Sequence, residues 1–382
     1  MMISKKHSKH VSIATISDVH LGHHKVPSED IVRGLYAAFP DNDTTGELDI
    51  IFIAGDFFDR NIHLSHEGVG CIQLFISDLI KLCEKRDIIL RILEGTPSHD
   101  WRQNALFINI AKMLKSSCNV RWIDKLYIEH IDALNMDVLY VPDEWEHDPN
   151  ETWKQVQCLL SQHDLKQVDM GVMHGMFGFQ LPNNIKLSHH DEFKYSDIVK
   201  HYITIGHVHV QRQWRNILAQ GSFDRFCHGE EAAKGHYRLD ISLADNGSDS
   251  IRFITNKLAT KFITINCLGL SVAESLEVIQ ASVVKKPNGS HFRIIASAGS
   301  EIASAKRDIE TMYPEFRWTM SRETVEDGQL ASPFKLTQNF TPANINKETI
   351  KRLTLKFLAD KHNGELDTEK LNRLEGLLNE VI

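Results

Sequence analysis

Short apolar runs recur along the chain, and each closes in a loop rich in Gly, Asp or His: VSIATIS (11–17), DIIFIAG (49–55), DIILRILEG (87–95), MDVLYVP (136–142), VDMGVMHG (168–175) and YITIG (202–206). Their length and β-branched content predict buried strands. Helical periodicity fills several of the intervals. Val69, Ile72, Phe75, Ile76, Leu79 and Ile80 fall on one face of a predicted helix from Val69 to Leu82, and Leu106, Ile110, Met113 and Leu114 do the same from Ala105 to Leu114. Strand and helix in alternation predict an α/β layered domain in which some strands pair antiparallel. Ligands in such folds gather at the carboxyl ends of strands, where the polar clusters of this chain fall.

Further on, HYRLDISL (236–243) and SIRFITN (250–256) flank Asn246-Gly247, a hairpin-turn signal. This hairpin closes a first domain at residues 11–258. KFITINCL, SVAESLEVIQASVV, SHFRIIASA, SEIASAKRDIETMYP and EFRWTMSRET then repeat strand, helix, strand, helix, strand, predicting a small α+β capping domain at 259–335 without an evident catalytic cluster. The tail, 346–382, is predicted helical: Ile350, Leu353 and Phe357, then Leu371, Leu374, Leu378 and Val381 behind the N-cap candidate Asp367. Its 3-4-3 spacing is the seam of a short coiled-coil-like contact, made either with this chain or with a partner.

A chain of 382 residues that is 42% hydrophobic can bury a substantial core in two or three units. Six scattered cysteines without a C-x-x-C pair read as reduced thiols in a reducing compartment. The basic start MMISKKHSKH lacks an apolar stretch long enough for a signal peptide, and no run approaches the roughly 18 apolar residues of a membrane span. A soluble, cytoplasmic protein is expected. The net charge of −8 argues against nucleic-acid binding through a broad basic surface, so a DNA substrate would need a local basic path or a partner. Carboxylates also serve hard divalent metals, and 21 histidines exceed what packing asks for.

Five polar blocks follow the predicted strands: Asp18-x-His20, Gly55-Asp56-x-x-Asp59, Ser98-His99-Asp100, His174-Gly175 and Gly206-His207-x-His209. Each alone is weak, but together they can converge on one sheet edge. Aspartate oxygens and neutral imidazoles suit Mn²⁺, Fe²⁺ or Zn²⁺ with open water positions, the arrangement of hydrolysis. Asp56 can bridge two cations about 3.5–4 Å apart. On extended backbone His207 and His209 point to the same side with Cα atoms roughly 7 Å apart, each able to reach a different metal.

SDVHLG (17–22), GDFFDR (55–60), SHD (98–100), HG (174–175) and GHVH (206–209) resemble the calcineurin-like metallophosphoesterase signature. GSFDRFCHGEEAAKG (221–235) is similar to a segment of the SbcD-type double-strand-break-repair nucleases, and the gapped third motif with the short length resembles their phage recombination-endonuclease branch. The resemblance covers roughly residues 11–240 and implies a layered α/β fold, a β-sandwich flanked by helices, and a metal-dependent DNA exonuclease or endonuclease using two divalent cations, Mn²⁺ or alternatively Mg²⁺. It implies that Asp18, His20, Asp56 and His209 bind one metal and Asp56, His174 and His207 the second. His99 would face the scissile phosphate as general acid or charge stabiliser, with Asp100 orienting its imidazole. The implied partners are DNA, a second copy in a homodimer, and an SbcC-like SMC-type ATPase docked on the C-terminal helices.

The chain departs from that family at one motif. Where the family reads G-N-H-D, this sequence reads Gly95-Thr96-Pro97-Ser98-His99-Asp100. The second site is then weakened, completed by water, or completed by Ser98 as ligand. His23, His24, His63 and His66 are expected outside the metal shell, and His189 and His190 in solvent. Asp59 is expected to brace the Gly55 loop. Two rival readings remain: a phosphomonoesterase or cyclic-nucleotide phosphodiesterase on the same scaffold, and a weakly active binding subunit of an ATPase complex.

Overall fold

The computed structural model describes residues 10–182, 185, 187–244 and 247–323. Asn246 of the expected turn, residues 324–335 and the tail at 346–382 lie outside the described residues. In chain order the strands are β1 (His10–Ile16), β2 (Ile50–Ala54), β3 (Ile89–Leu93), β4 (Val120–Ile123), β5 (Tyr127–Ile131), β6 (Met136–Val141), β7 (Val168–His174), β8 (Val199–Gly206), β9 (Arg212–Trp214), β10 (Ile217–Ala219), β11 (Gly235–Ser242), β12 (Ser250–Thr255), β13 (Phe262–Asn266), β14 (His291–Ser297) and β15 (Arg317–Glu323).

Among the described residues these form two six-stranded sheets, β12-β11-β1-β2-β3-β4 and β5-β6-β7-β8-β10-β9, and a three-stranded sheet β13-β14-β15. In the first, β1 to β4 are parallel while β11 and β12 return antiparallel as a hairpin. In the second, β6, β7, β8 and β10 are parallel between antiparallel β5 and β9.

The packing follows from period-two alternation in strands that are apolar on both faces. Ile50, Phe52 and Ala54 of β2 point between the sheets, where they meet Val138, Tyr140, Met170 and Val172. Ile51 and Ile53 point outward into a core that contains Ile72, Phe75 and Ile76 of the helix Val69–Arg86. The outer face of the second sheet is covered through Val156, Leu160 and Tyr195 of the helices Pro149–Gln162 and Glu192–Ile198. The result is a helix–sheet–sheet–helix layering, the expected α/β class. The strands β4, β9 and β10 carry no clear sequence signal because they are three or four residues long, and β5 because Glu129 and His130 interrupt its apolar run.

The small sheet has its own core, built from Ile265, Ile279, Phe292, Ile294, Ile309 and Trp318. Its strands are all parallel. The unit is therefore α/β in kind where α+β was expected: each connection is long and carries helix, as a parallel crossover requires. The helix Val272–Val283 starts at a capping box between Ser271 and Glu274. No helix among the described residues is long and apolar enough to cross a membrane.

Candidate metal centre

Parallel strands in both sheets send their carboxyl ends to one shared edge. Asp18 and His20 follow β1, Asp56 follows β2, Thr96 to Asp100 follow β3, Asp143 follows β6, His174 ends β7, and His207 and His209 follow β8. The chain turns sharply there. Asp18, His20, Asp56 and His207 have φ of 50°, 52°, 50° and 96°, in the left-handed region that costs a non-glycine residue on the order of 1–3 kcal/mol. The strain is held by backbone bonds between the first two loops: Val19 and His20 donate N–H to the carbonyl of Asp56 at 2.8 and 3.1 Å.

Among the described residues, three sets of side chains bring one ligand atom each within 4.8 Å of one another: Asp18, His20 and His209; His20, Asp56 and His99; and Asp56, His174 and His207. Asp56 belongs to two of them, as a bridging carboxylate must. Its Oδ1 lies 3.3 Å from His174 Nε2 and its Oδ2 lies 3.9 Å from His20 Nε2. Asp18 Oδ1 lies 3.8 Å from His209 Nε2.

These residues fit divalent cations. Asp18 Oδ2 and His174 Nε2 are buried without a hydrogen-bond partner, a costly state for polar atoms in a dry interior. His20 and His209 face each other Nε2 to Nε2 at 3.0 Å, where a cation would join two lone pairs that otherwise repel unless one is protonated. His174 donates through Nδ1 to the carbonyl of Ala54 at 2.7 Å, which fixes the ring and turns Nε2 toward Asp56.

Electrostatics carries the same message. Burial works against the charge of Asp56, yet the His174, His99 and His20 imidazoles hold its carboxyl well below the usual range. Burial likewise opposes protonation of His174, and the Asp56 carboxylate outweighs it and lifts the imidazole well above its ordinary value. The carboxylates gather positive charge around themselves, in protons or in metal.

Two expected roles are corrected. The hydroxyl that reaches the cluster is that of Thr96, which donates to Asp143 Oδ2 at 2.9 Å and lies 3.2 Å from Asp56 Oδ2 and 3.3 Å from His207 Nδ1. Ser98 instead enters a short helix, Pro97–Asp100, where its carbonyl accepts the indole N–H of Trp101. The two extra residues of this motif are thus accommodated after Thr96, which leaves Thr96 directly behind Gly95 at the strand end.

Asp100 does not orient His99. Fully buried, it accepts the backbone N–H groups of Asp56, Gly95 and Phe58 at 3.1, 2.7 and 3.0 Å and so ties two loops together. Burial, with Asp56 and Glu94 nearby, pushes its pKa up to about 7. His99 bonds through Nδ1 to Asp56 Oδ2 at 2.7 Å, and its side chain is 37% exposed at the mouth of the cluster.

His207 and His209 separate by a different route from the one expected. β8 ends at Gly206, and the backbone N–H of His207 donates to Asp18 Oδ1 at 2.8 Å, which turns the chain so that His207 reaches Asp143 and His209 reaches His20. Asp59 lies with Oδ1 3.4 Å from His20 Nδ1 and its other oxygen on Arg60, so its carboxylate braces a ligand where a brace for the Gly55 loop was expected. His190 is not a solvated loop residue: its ring packs on Phe177 and Tyr195, and burial lowers its pKa to about 4.

Three polar partners were not anticipated: Thr96, Asp143 and Glu230. Asp143 had a usable signal, since it follows a predicted strand as the other polar blocks do. Glu230 lies in the 221–235 segment and sits 3.3 Å from His209 Nδ1, with its other oxygen 2.9 Å from the buried Lys234 ammonium.

No family model matches the chain, and no curated protein matches it. Among solved structures, one crystal structure is 12% identical at a TM-score of 0.39, covering 64% of this chain and 100% of its own. Another, the crystal structure of TT1561 of Thermus thermophilus, is 7% identical at a TM-score of 0.38, covering 65% of this chain and 99% of its own. Likeness at that level says nothing of function.

Proposed function

We propose that the chain is a two-metal phosphoesterase of the calcineurin-like type, a DNA nuclease of the SbcD kind. The observation that carries this reading is Asp56, shared between the set it forms with His20 and His99 and the set it forms with His174 and His207, while His20 joins Asp18 and His209 in a third. When bound, two divalent cations, Mn²⁺ or Mg²⁺, lower the pKa of water and neutralise phosphoryl charge. Asp18, His20 and His209 would hold one cation, His174 and His207 the other, and Asp56 would be shared by both. His99, at the mouth, donates a proton to the departing sugar oxygen or stabilises the developing charge. No side-chain nucleophile is required.

A local basic path favours DNA over a small phosphoester. Arg293 and Arg317 of the small sheet and Lys25 of the loop after His20 form no ion pair among the described residues, and Arg317 donates to the carbonyl of Lys25 at 2.8 Å. Next to them Phe262 stacks on His291 at 4.4 Å between ring centroids. Cations without an acidic partner suit a phosphate backbone despite the negative net charge. The same reading assigns residues 346–382 to docking an SbcC-like ATPase, places the protein in the cytoplasm and makes it a homodimer.

The test compares Mn²⁺-dependent cleavage of linear duplex DNA and of a small chromogenic phosphodiester by the wild type and Asp56→Asn. Duplex cleavage that falls more than about a hundredfold in the variant is expected, since even outer partners of a metal cost 10–100-fold. Unchanged cleavage by Asp56→Asn refutes the catalytic reading, and turnover of the chromogenic ester alone moves the substrate to small phosphodiesters.

A further inference from the structure

The geometry points to Asp143 as a direct ligand of the second cation, a carboxylate standing where the resembled family uses a neutral asparagine amide. The inference rests on the two-metal reading and adds to it. Thr96 occupies the position directly behind Gly95, but a threonine hydroxyl is both shorter and a poorer donor to a metal than an amide oxygen. The carboxyl end of β6 supplies what is missing. Asp143 Oδ2 stands 2.9 Å from Thr96 Oγ1 and 3.2 Å from His207 Nδ1, and Thr96 Oγ1 is itself 3.2 Å from Asp56 Oδ2. Asp143 thus reaches the second site through Thr96 and His207, directly beside the set formed by Asp56, His174 and His207.

Two further observations bear on this. The Asp143 side chain is only 10% exposed, yet it forms no ion pair with a lysine or arginine among the described residues, and the basic groups acting on it are the His207 and His174 imidazoles. A buried carboxylate without a permanent countercharge is costly unless a cation joins it. Gly175, the residue after His174, leaves the room it needs: a Cβ there would come within 3.2 Å of Asp143 Oδ1.

The substitution has a chemical consequence. With Asp143 and Asp56 the second site holds two carboxylates instead of one carboxylate and an amide, which strengthens divalent binding and favours hard cations such as Mn²⁺ and Mg²⁺. The site lost at one strand end is rebuilt from its neighbour across the sandwich.

The rival role is that Asp143 only accepts a hydrogen bond from His207 and orients its ring. Calorimetric titration of Mn²⁺ into the metal-free full-length protein, wild type, Asp143→Asn and Asp143→Ala, separates the two, with circular dichroism to check folding. Two equivalents are expected for the wild type. Asp143→Ala should keep the first and weaken the second by more than about a hundredfold, with Asp143→Asn recovering part of the loss. Asp143→Cys titrated with Cd²⁺ should gain a thiolate-to-cadmium charge-transfer band beyond any signal from the wild type's own free thiols. An unweakened second equivalent in Asp143→Ala, or two bound Cd²⁺ without the new band in Asp143→Cys, overturns the assignment and leaves the two-metal reading standing. Fewer than two equivalents in the wild type overturns both.

Discussion

Asp100 holds the backbone of Asp56 in place: its Oδ2 accepts the Asp56 N–H at 3.1 Å and the Gly95 N–H at 2.7 Å, while Oδ1 takes Phe58 at 3.0 Å. One carboxylate thus fixes the strained loop that carries the bridging ligand and the loop that carries Thr96. Asp100→Ala orphans three backbone donors in a buried place, each worth about 1–3 kcal/mol. A loss on the order of 3–5 kcal/mol in urea unfolding is expected, with Asp100→Asn losing less because one oxygen remains.

Gly55 is fixed by contact as well as by conformation. Its φ is 83°, and a Cβ at that position would overlap the His174 ring and crowd the Gly95 Cα. Gly55→Ala must push His174 off the cluster or open the β2 and β3 loops. Weakened Mn²⁺ binding together with a lower thermal midpoint is the expected outcome, and Gly70→Ala, where a Cβ meets nothing within 4 Å, is the control.

Behind His209 stands a polar chain that positions it. Lys234 is buried, with its ammonium 2.9 Å from Glu230 Oε2, 2.9 Å from the carbonyl of His209 and 2.7 Å from Ser222 Oγ. His209 and Lys234 outweigh the burial of Glu230 and hold its pKa at about 2. Glu230→Gln should weaken the first Mn²⁺ equivalent by about 10–100-fold while leaving the fold intact. Lys234→Met should do worse, because it strips a buried carboxylate of its countercharge, which costs roughly 3–5 kcal/mol.

His236 makes the fold acid-sensitive away from the metal centre. Its ring is 1% exposed, lies against Phe39, and accepts a hydrogen bond from Arg238 Nε, which requires a neutral imidazole. Burial, with the Arg238 guanidinium beside it, lowers its pKa to about 3. In the unfolded chain histidine takes up a proton near pH 6.5, so below that value the unfolded state binds more protons. The stabilisation is complete above pH 6.5 and is lost as pH falls toward 3, at about 1.4 kcal/mol per unit. Urea titrations at pH 7 and pH 4.5 should differ by roughly 2–3 kcal/mol less in His236→Gln than in the wild type.

The sequence alone determined the layered α/β class, the buried strands from β1 to β3 and β6 to β8, and the polar blocks at their ends. Those features are local: alternation and run length report which residues are buried, and a polar residue straight after an apolar strand has only one sheet edge to occupy. The roles within the cluster belong to the tertiary structure. Sequence spacing placed Ser98 and Asp100 around His99, whereas the sandwich brings Thr96 to Asp56 and gives Asp100 to the backbone. Asp143 and Glu230 meet histidines 64 and 21 positions away along the chain. Such partnerships depend on how two sheets stack and how left-handed turns aim side chains by a few ångströms, and no pattern along a single chain records either.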